Sequence, residues 1–284
     1  MAGVSRPLPR APAAARIHWR AVSLLSGTVL LTGASGGLGH AIARAIAPHG
    51  ATLLLSGRRT EVLEPLAREL GGRALACDLA DRGDVERLIA AAGDVDVLIA
   101  NAALPGSGVL TALSQQHVDR VLEVNLRAPV RLARALAPGM VDRGRGHLVF
   151  ISSLAGKAAS PASSLYSASK FGLRGFALGL REDLRSHGVG VSTVAPGFIR
   201  DAGMFADAGV KLPWFVRTRA PEDVAAAVIR AVEQDRAELE VAPAPLRLGA
   251  TFAAVAPGIA AEISRRLGGE RIANAHVEGQ RERR

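Results

Sequence analysis

The chain has 284 residues, of which 49% are hydrophobic and 21% charged. That is enough for one sizeable α/β domain or two small ones, and too apolar for general disorder. A single cysteine excludes a disulfide framework and a cysteine-based metal cluster, so no metal is expected and a reducing, cytoplasmic setting fits.

The net charge of +9 is unevenly spread. Residues 1–26 hold four Arg and no acid, and residues 265–284 hold six Arg and three Glu, which leaves only +2 between them. A nucleic-acid binder carries a basic face on its folded part, so nucleic acid is not an expected partner. The basic ends read as solvated tails. Attraction to an anionic membrane surface is a second reading that we do not favour.

Residues 1–26 lack the apolar core of a signal peptide, because Arg and Pro interrupt it. An organelle transit peptide has a similar Arg-rich, acid-free composition, but the segment reads more simply as a flexible basic extension. No run of about 18 apolar residues is free of breaks, so no transmembrane helix is expected. The longest uncharged run, 97–118, contains Asn101, Pro105, Gly106 and Gly108 and reads as strand, loop and helix start.

From Thr28 the pattern alternates. Residues 28–32 (TVLLT) are a short apolar run, hence a buried strand, and 38–48 have helical spacing. Strands follow at 51–56, 73–77, 95–100, 146–152 and 189–195, separated by helices at 61–70, 84–92, 114–143 and 163–187. A helix at 221–234 opens with Pro221-Glu222-Asp223, and 238–241 is a candidate seventh strand. Strands separated by helices imply parallel pairing with right-handed crossovers. Continuous apolar strands imply that both sheet faces are covered. The expected fold is α/β, a single doubly wound Rossmann-type domain of about seven strands, whose ligands bind outside the carboxyl ends of the strands.

The first strand runs into Thr32-Gly33-Ala34-Ser35-Gly36-Gly37-Leu38-Gly39 and then a helix. Glycines let the backbone turn tightly and approach a pyrophosphate, with free helix N–H groups facing the anion. This segment is the expected dinucleotide-binding turn. NAD-binding folds commonly place an acid at the end of the second strand for the ribose 2′-hydroxyl. Here Gly57 is followed by Arg58 and Arg59. No carboxylate repels a 2′-phosphate and two guanidiniums can grip one, so NADP(H) is favoured over NAD(H). Asp78, at the end of the third strand, suits either an adenine amino group or the cap of a turn, and Cys77 reads as a small core residue. Asn101 and Ala102 end the fourth strand, where backbone can pass close to a ribose.

Tyr166 is the only tyrosine, and Lys170, one of three lysines, follows at i+4 on the same helix face. A phenol's ordinary pKa near 10 is too high for efficient proton transfer at neutral pH, and an adjacent ammonium lowers it. Ser153 lies 13 residues before Tyr166 at a strand end, where its hydroxyl could hold a carbonyl oxygen. Its spacing, not its residue type, selects it over Ser152. Asn125 lies within the long helix at 114–143.

With these residues assembled, the sequence resembles the short-chain dehydrogenase/reductase family over about residues 27–243. The resemblance rests on T-G-x-x-x-G-x-G at 32–39, Asp78, Asn101-Ala102, Asn125, Ser153, Tyr166-x-x-x-Lys170 and Pro196-Gly197. It implies a nicotinamide-dependent oxidoreductase in which Tyr166 is the general acid/base. Lys170 would bind the nicotinamide ribose and tune Tyr166, Ser153 would orient the carbonyl, and Asn125 would hold a water in a proton relay. Gly33, Ser35, Gly37, Leu38, Gly39, Arg58, Arg59, Asp78, Leu79, Asn101, Ala102, Pro196, Gly197 and Ile199, together with Tyr166 and Lys170, would contact the cofactor. It also implies a homodimer or homotetramer.

Two departures stand out. The family's usual Asn-Asn-Ala-Gly is Ala100-Asn101-Ala102-Ala103, and the threonine often found four residues after the glycine of Pro196-Gly197 is Asp201, preceded by Arg200. Arg200 is a candidate for reaching the pyrophosphate instead.

The segment 198–216 holds Phe198, Phe205, Trp214 and Phe215 with Ile199, Met204, Val210 and Leu212. In this family such a segment covers the substrate, so a hydrophobic carbonyl or alcohol is expected. The domain reading is a basic extension at 1–26, a dinucleotide-binding and catalytic domain at 27–243, and a partly helical tail at 244–284 that packs on the protein. The rival function is a non-catalytic NADP(H)-binding regulatory or redox-sensing protein.

Overall fold

The computed structural model describes residues 23–207 and 217–266. Seven strands form one parallel sheet: β1 (Thr28–Thr32), β2 (Thr52–Gly57), β3 (Arg73–Ala76), β4 (Val97–Ala100), β5 (Gly146–Ile151), β6 (Val189–Pro196) and β7 (Glu238–Val241). Their order is β3-β2-β1-β4-β5-β6-β7. The chain therefore winds one way from β1 to β3, then crosses back to β4 and winds the other way. The crevice at the carboxyl ends of β1 and β4 is the switch point where such sheets take ligands.

The central strands feed two cores by simple alternation. Val29, Leu31, Leu53, Leu55, Val97 and Ile99 face one side, with α1 (Gly37–Ile46), α2 (Thr60–Leu70) and α8 (Pro221–Glu233). Leu30, Leu54, Leu98, Leu148 and Phe150 face the other, with α3 (Arg82–Ala92), α5 (Ala128–Asp142) and α6 (Ser164–Leu184). Burial on both faces is why these strands read as uninterrupted apolar runs. Each fully buried Leu or Val contributes roughly 1.5–3 kcal/mol, so the sheet is the rigid support for everything at its edge.

Local chemistry sets the helix starts. The Asp81 carboxylate accepts the Asp84 N–H to open α3, and Ser114 Oγ accepts the His117 N–H to open α4 (Gln115–Leu122). Pro221 begins α8, where the Asp223 carboxylate accepts the Ala220 N–H at 2.9 Å.

Two features differ from the sequence expectation. The single long helix expected at 114–143 is α4 and α5 joined by a π-helical turn, Glu123–Arg127. Residues 24–26, expected in the flexible extension, form a short 3₁₀ turn whose Leu25 is fully buried in the first core. The tail carries two helices, α9 (Ala244–Val255) and α10 (Pro257–Arg266), parted at Ala256, which follow the short α7 (Gly203–Asp207) and α8 in the chain. Residues 1–22, the tail past 266, and Val210, Leu212, Trp214 and Phe215 of the apolar segment lie outside the described residues.

Candidate active site

The site begins where β1 ends. Gly33 turns the chain with φ +67°, and a Cβ there would meet Ala102 Cα at 2.7 Å. A side chain is therefore excluded both by conformation and by space. A Cβ at Gly39 would stand 2.3 Å from the Gly33 carbonyl oxygen, so α1 starts pressed against the turn. The result is a backbone cradle with the unsatisfied N–H groups of a helix start at its edge.

Thr32 and Asn101 tie the two switch-point strands together. Thr32 Oγ1 accepts the N–H groups of Asn101 at 3.1 Å and Ala102 at 3.3 Å. Asn101 Nδ2 donates to the Thr32 and Gly33 carbonyls at 3.1 and 3.2 Å. Thr32 was not singled out from sequence. Its only signal is its place before the first glycine of the turn.

A cavity of about 450 Å³ opens along this turn. It is lined by Gly33, Ser35, Gly37, Leu38, Gly39, Arg58, Arg59, Asp78, Leu79, Asn101 and Ala102. Arg59 reaches back and donates to the Ser35 carbonyl. Arg58 makes no hydrogen bond or ion pair among the described residues, although its charge is felt at Asp78. Asp78 accepts the Ala80 N–H at 3.0 Å, the capping alternative read from sequence, and the Arg120 guanidinium at 2.7 Å. Burial pushes the Asp78 carboxyl up, but these two hydrogen bonds and the charges of Arg120 and Arg58 outweigh it and hold it low. Arg120 comes from α4, 42 residues away, and no local motif points to it. The neighbouring Cys77 is buried, and burial, with Asp84 and Asp78 beside it, lifts its thiol to about 12. It is a core residue, inert as a nucleophile.

A second cavity, of about 460 Å³ and largely apolar, adjoins the first. Leu38, Asn101, Ala103, Pro105, Gly203 and Met204 line both. Its own walls include Ser153, Tyr166, Lys170, Pro196, Gly197 and Ile199. The first turns of α6 carry Tyr166 and Lys170 on one face beside the end of β5. Lys170 is 1% exposed, its Nζ donates to the Ile151 carbonyl at 2.9 Å, and it stands 5.7 Å from the Tyr166 ring centre. Ser153 accepts the Ala155 N–H, donates weakly to the Pro196 carbonyl, and its hydroxyl is within hydrogen-bonding reach of the phenol. Ser152 instead turns its hydroxyl to the Lys170 carbonyl at 3.1 Å.

One electrostatic expectation is corrected here. The lysine was expected to lower the phenol's pKa. In the chain by itself burial wins: the Tyr166 phenol is pushed up to about 12, only partly opposed by its hydrogen bond with Ser153. Burial also lowers the Lys170 ammonium to about 8.

Asn125 lines neither cavity. It sits fully buried in the π-helical turn. Its Oδ1 accepts the Leu104 N–H at 2.7 Å, and its Nδ2 donates to the Leu104 carbonyl at 3.0 Å and to Ser169 Oγ at 3.2 Å. These bonds commit the side chain to joining the loop after β4 to α6. Single-turn π segments frequently mark functional sites. Arg200 pairs with Asp201 at 3.2 Å, both exposed, and neither lines a cavity. Sequence reasoning also missed Pro245, Leu246, Gly249 and Ala250 of α9, which wall the second cavity.

This arrangement, a nucleotide cradle at the switch point abutting an apolar cavity with an acid–base cluster, belongs to a known class of oxidoreductase. Residues 27–211 match the family described as short chain dehydrogenase, and the chain belongs to that family. It is accordingly an oxidoreductase that acts between CH–OH and C=O groups on small molecules with a nicotinamide cofactor. The chain is 36% identical over 245 residues to the ketoacyl reductase HetN of Nostoc sp., covering 83% of this chain and 85% of that one. It is 33% identical over 256 residues to dehydrogenase/reductase SDR family member 7B of Bos taurus, covering 82% and 79%. A short-chain dehydrogenase from Sphingobium yanoikuyae, solved in complex with NADPH, superposes with a TM-score of 0.72 at 28% identity, covering 84% of this chain and 95% of that one. Among the described residues no helix is long and apolar enough to cross a membrane.

Proposed function

We propose that the chain is an NADP(H)-dependent oxidoreductase that interconverts a hydrophobic ketone or aldehyde and its alcohol, with Tyr166 as the general acid/base. The observation that carries this reading is the convergence of Ser153, Tyr166 and Lys170 on the wall of an apolar cavity that adjoins the glycine turn. When bound, the nicotinamide supplies or accepts the hydride.

The residues of the turn fit a dinucleotide. Gly33 and Gly39 leave a cradle that a Cβ would fill, and the start of α1 offers N–H groups to a pyrophosphate. Arg58, uncommitted at the cavity rim, and Arg59 beside it favour a 2′-phosphate.

The chain's own groups manage the proton. The high pKa of Tyr166 keeps the phenol protonated at neutral pH, the state needed to protonate a carbonyl oxygen. Ser153 can donate to that oxygen and fix its position. As the proton leaves, negative charge grows on Tyr166 in a water-poor site, where the nearby Lys170 ammonium stabilises it most. Asn125 positions Leu104 and α6 and does not touch the reacting atoms. The apolar lining excludes water and suits a hydrophobic substrate.

Parallel fluorescence titration with NADPH and NADH, and turnover of hydrophobic ketones, test the reading. NADPH should bind roughly 10- to 100-fold tighter, the value of one or two charge-assisted hydrogen bonds. Tyr166→Phe should abolish turnover and leave NADPH affinity nearly intact. Equal affinities would remove the cofactor assignment, and near-normal activity of the variant would remove Tyr166 from its role. Cofactor binding with no turnover of any carbonyl would favour the non-catalytic sensor.

A further inference from the structure

Among the described residues, the tail helices leave an apolar face uncovered. On α9, Leu248, Phe252 and Val255 share one face at i, i+4 and i+7, and Leu248 and Val255 are 72% and 82% exposed. On α10, Ile259 and Ile263 repeat the pattern at i, i+4 and are also exposed. The opposite side of α9 is not free, because Leu246 and Ala250 wall the second cavity. Among the described residues, the tail therefore packs on the protein along one side of α9. Large exposed side chains in such a run mark an interaction surface.

We propose that this helix pair docks on a bilayer bearing anionic headgroups, lying in the interface without crossing it. Three observations select a lipid surface over a protein. From residue 248 to residue 261 there is no charged side chain, and Thr251 is the only polar one. A protein interface of any specificity needs hydrogen-bonding groups about every 100–200 Å², whereas a fluid apolar phase needs none. The first charges outside this run are Arg247 on one side and the Glu262–Arg265–Arg266 group on the other. Arginines flanking an apolar helical face match the headgroup layer.

The third observation is the placement of charge. Of the net +9, four charges come from residues 1–26 and three from residues 244–284, so the excess is concentrated at the chain ends, one of which contains the apolar face. Basic residues near an anionic leaflet are drawn to it. A second copy of the chain is a poorer occupant. The patch is five large side chains on two short helices, small beside the roughly 800 Å² per partner that a stable interface buries.

Docking in this way sets the helix that walls the apolar cavity against the lipid. A hydrophobic carbonyl compound dissolved in the bilayer then has a short path to Tyr166, a consequence that rests on the substrate reading above. The binding test needs no turnover, so the two readings fail separately.

The test is flotation of the full chain with phosphatidylcholine vesicles and with vesicles containing phosphatidylglycerol. The wild type should float with the anionic vesicles. The double variant Phe252→Glu, Val255→Glu should lose at least about tenfold in partitioning. Both positions are exposed and line neither cavity, so its circular dichroism, melting temperature and gel-filtration volume should match the wild type. Failure of the wild type to float overturns the proposal. So does flotation of the double variant at wild-type strength, which would assign binding to the basic ends alone. A shift of the variant to a smaller oligomer without vesicles would also overturn it, by showing that a second copy covers the face.

Discussion

Replacing Lys170 by methionine separates what the site needs for chemistry from what the fold needs for stability. Burial holds this ammonium at about 8, against 10.5 for an exposed lysine. The folded-state pKa is the lower one, so between those values the unfolded chain binds more protons and stability rises with pH. Below pH 8 the penalty for burying the charge is present in full, about 3 kcal/mol. Lys170→Met keeps most of the side-chain volume and removes that penalty. It also removes the hydrogen bond to the Ile151 carbonyl, which takes back about 1–2 kcal/mol.

The variant should therefore be more stable than the wild type at pH 7 by about 1–2 kcal/mol, a rise of a few degrees in melting temperature for a domain of this size. The advantage should shrink by about 2 kcal/mol between pH 7 and pH 10, as the wild-type lysine loses its charge. Carbonyl reduction should fall by orders of magnitude, because growing charge on Tyr166 loses its cation. Urea unfolding at the two pH values and a steady-state assay measure all three quantities. A methionine variant less stable than the wild type at pH 7, or a stability gap that ignores pH, would refute the claim that a costly buried charge is retained for catalysis.

Other perturbations probe separate parts of the molecule. Arg58→Ala should weaken NADPH by roughly 10- to 100-fold and leave NADH almost unchanged; parallel titrations check this, and equal losses for both would show that Arg58 does not read the 2′-phosphate. Gly39→Ala places a Cβ 2.3 Å from the Gly33 carbonyl oxygen, with backbone on both sides, so either the turn or the helix must move. Cofactor affinity should fall at least about tenfold with a loss of about 1–3 kcal/mol in stability, the cost of an overpacked site; unchanged binding in a titration would show the turn to be pliable. Burial lowers the fully buried His147, 2.7 Å from Ser192 Oγ, to about 4. Its folded pKa lies below the unfolded value of 6.5, so its contribution to stability is lost as pH falls towards 4. Between pH 7 and pH 5 the wild type should lose about 2 kcal/mol more stability than His147→Gln; parallel acid-dependent denaturation curves would refute it.

The strands and the outer helices were legible because their signals are local. β1 and β7 have the limits read from the sequence, and the apolar alternation that specifies the two cores is written within each strand. The glycine turn and the Tyr166–Lys170 pair were legible for the same reason, since an i, i+4 spacing or a strand–turn–helix junction needs no knowledge of tertiary contacts. What escaped was non-local. Arg120 reaches Asp78 across 42 residues, and α9 returns to wall a cavity whose other walls were made far earlier in the chain. The π-helical turn escaped because its residues, Glu123–Arg127, have ordinary helical periodicity. Nothing in their types announces the extra residue. The pKa of Tyr166 escaped because spacing alone says that an ammonium is near, not how far burial shifts both groups.

That last point bears on how the site works. Lys170 and Asn125 are both fully buried, and each bonds to a neighbouring element: Lys170 to the Ile151 carbonyl, Asn125 to Leu104 and to Ser169 of α6. Each holds a neighbour in place: Lys170 draws α6 against the end of β5, and Asn125 ties the Leu104 loop to the same helix. Tyr166 is carried on that helix one turn before those two anchors, on the wall of the cavity that adjoins the cradle. A proton donor needs a fixed position more than a shifted pKa, because a misplacement of about 1 Å costs on the order of 100-fold in rate. The sheet edge, the π-helical turn and the buried lysine are best understood as the means of fixing that position, with the electrostatic role of Lys170 expressed only when charge develops on the phenol.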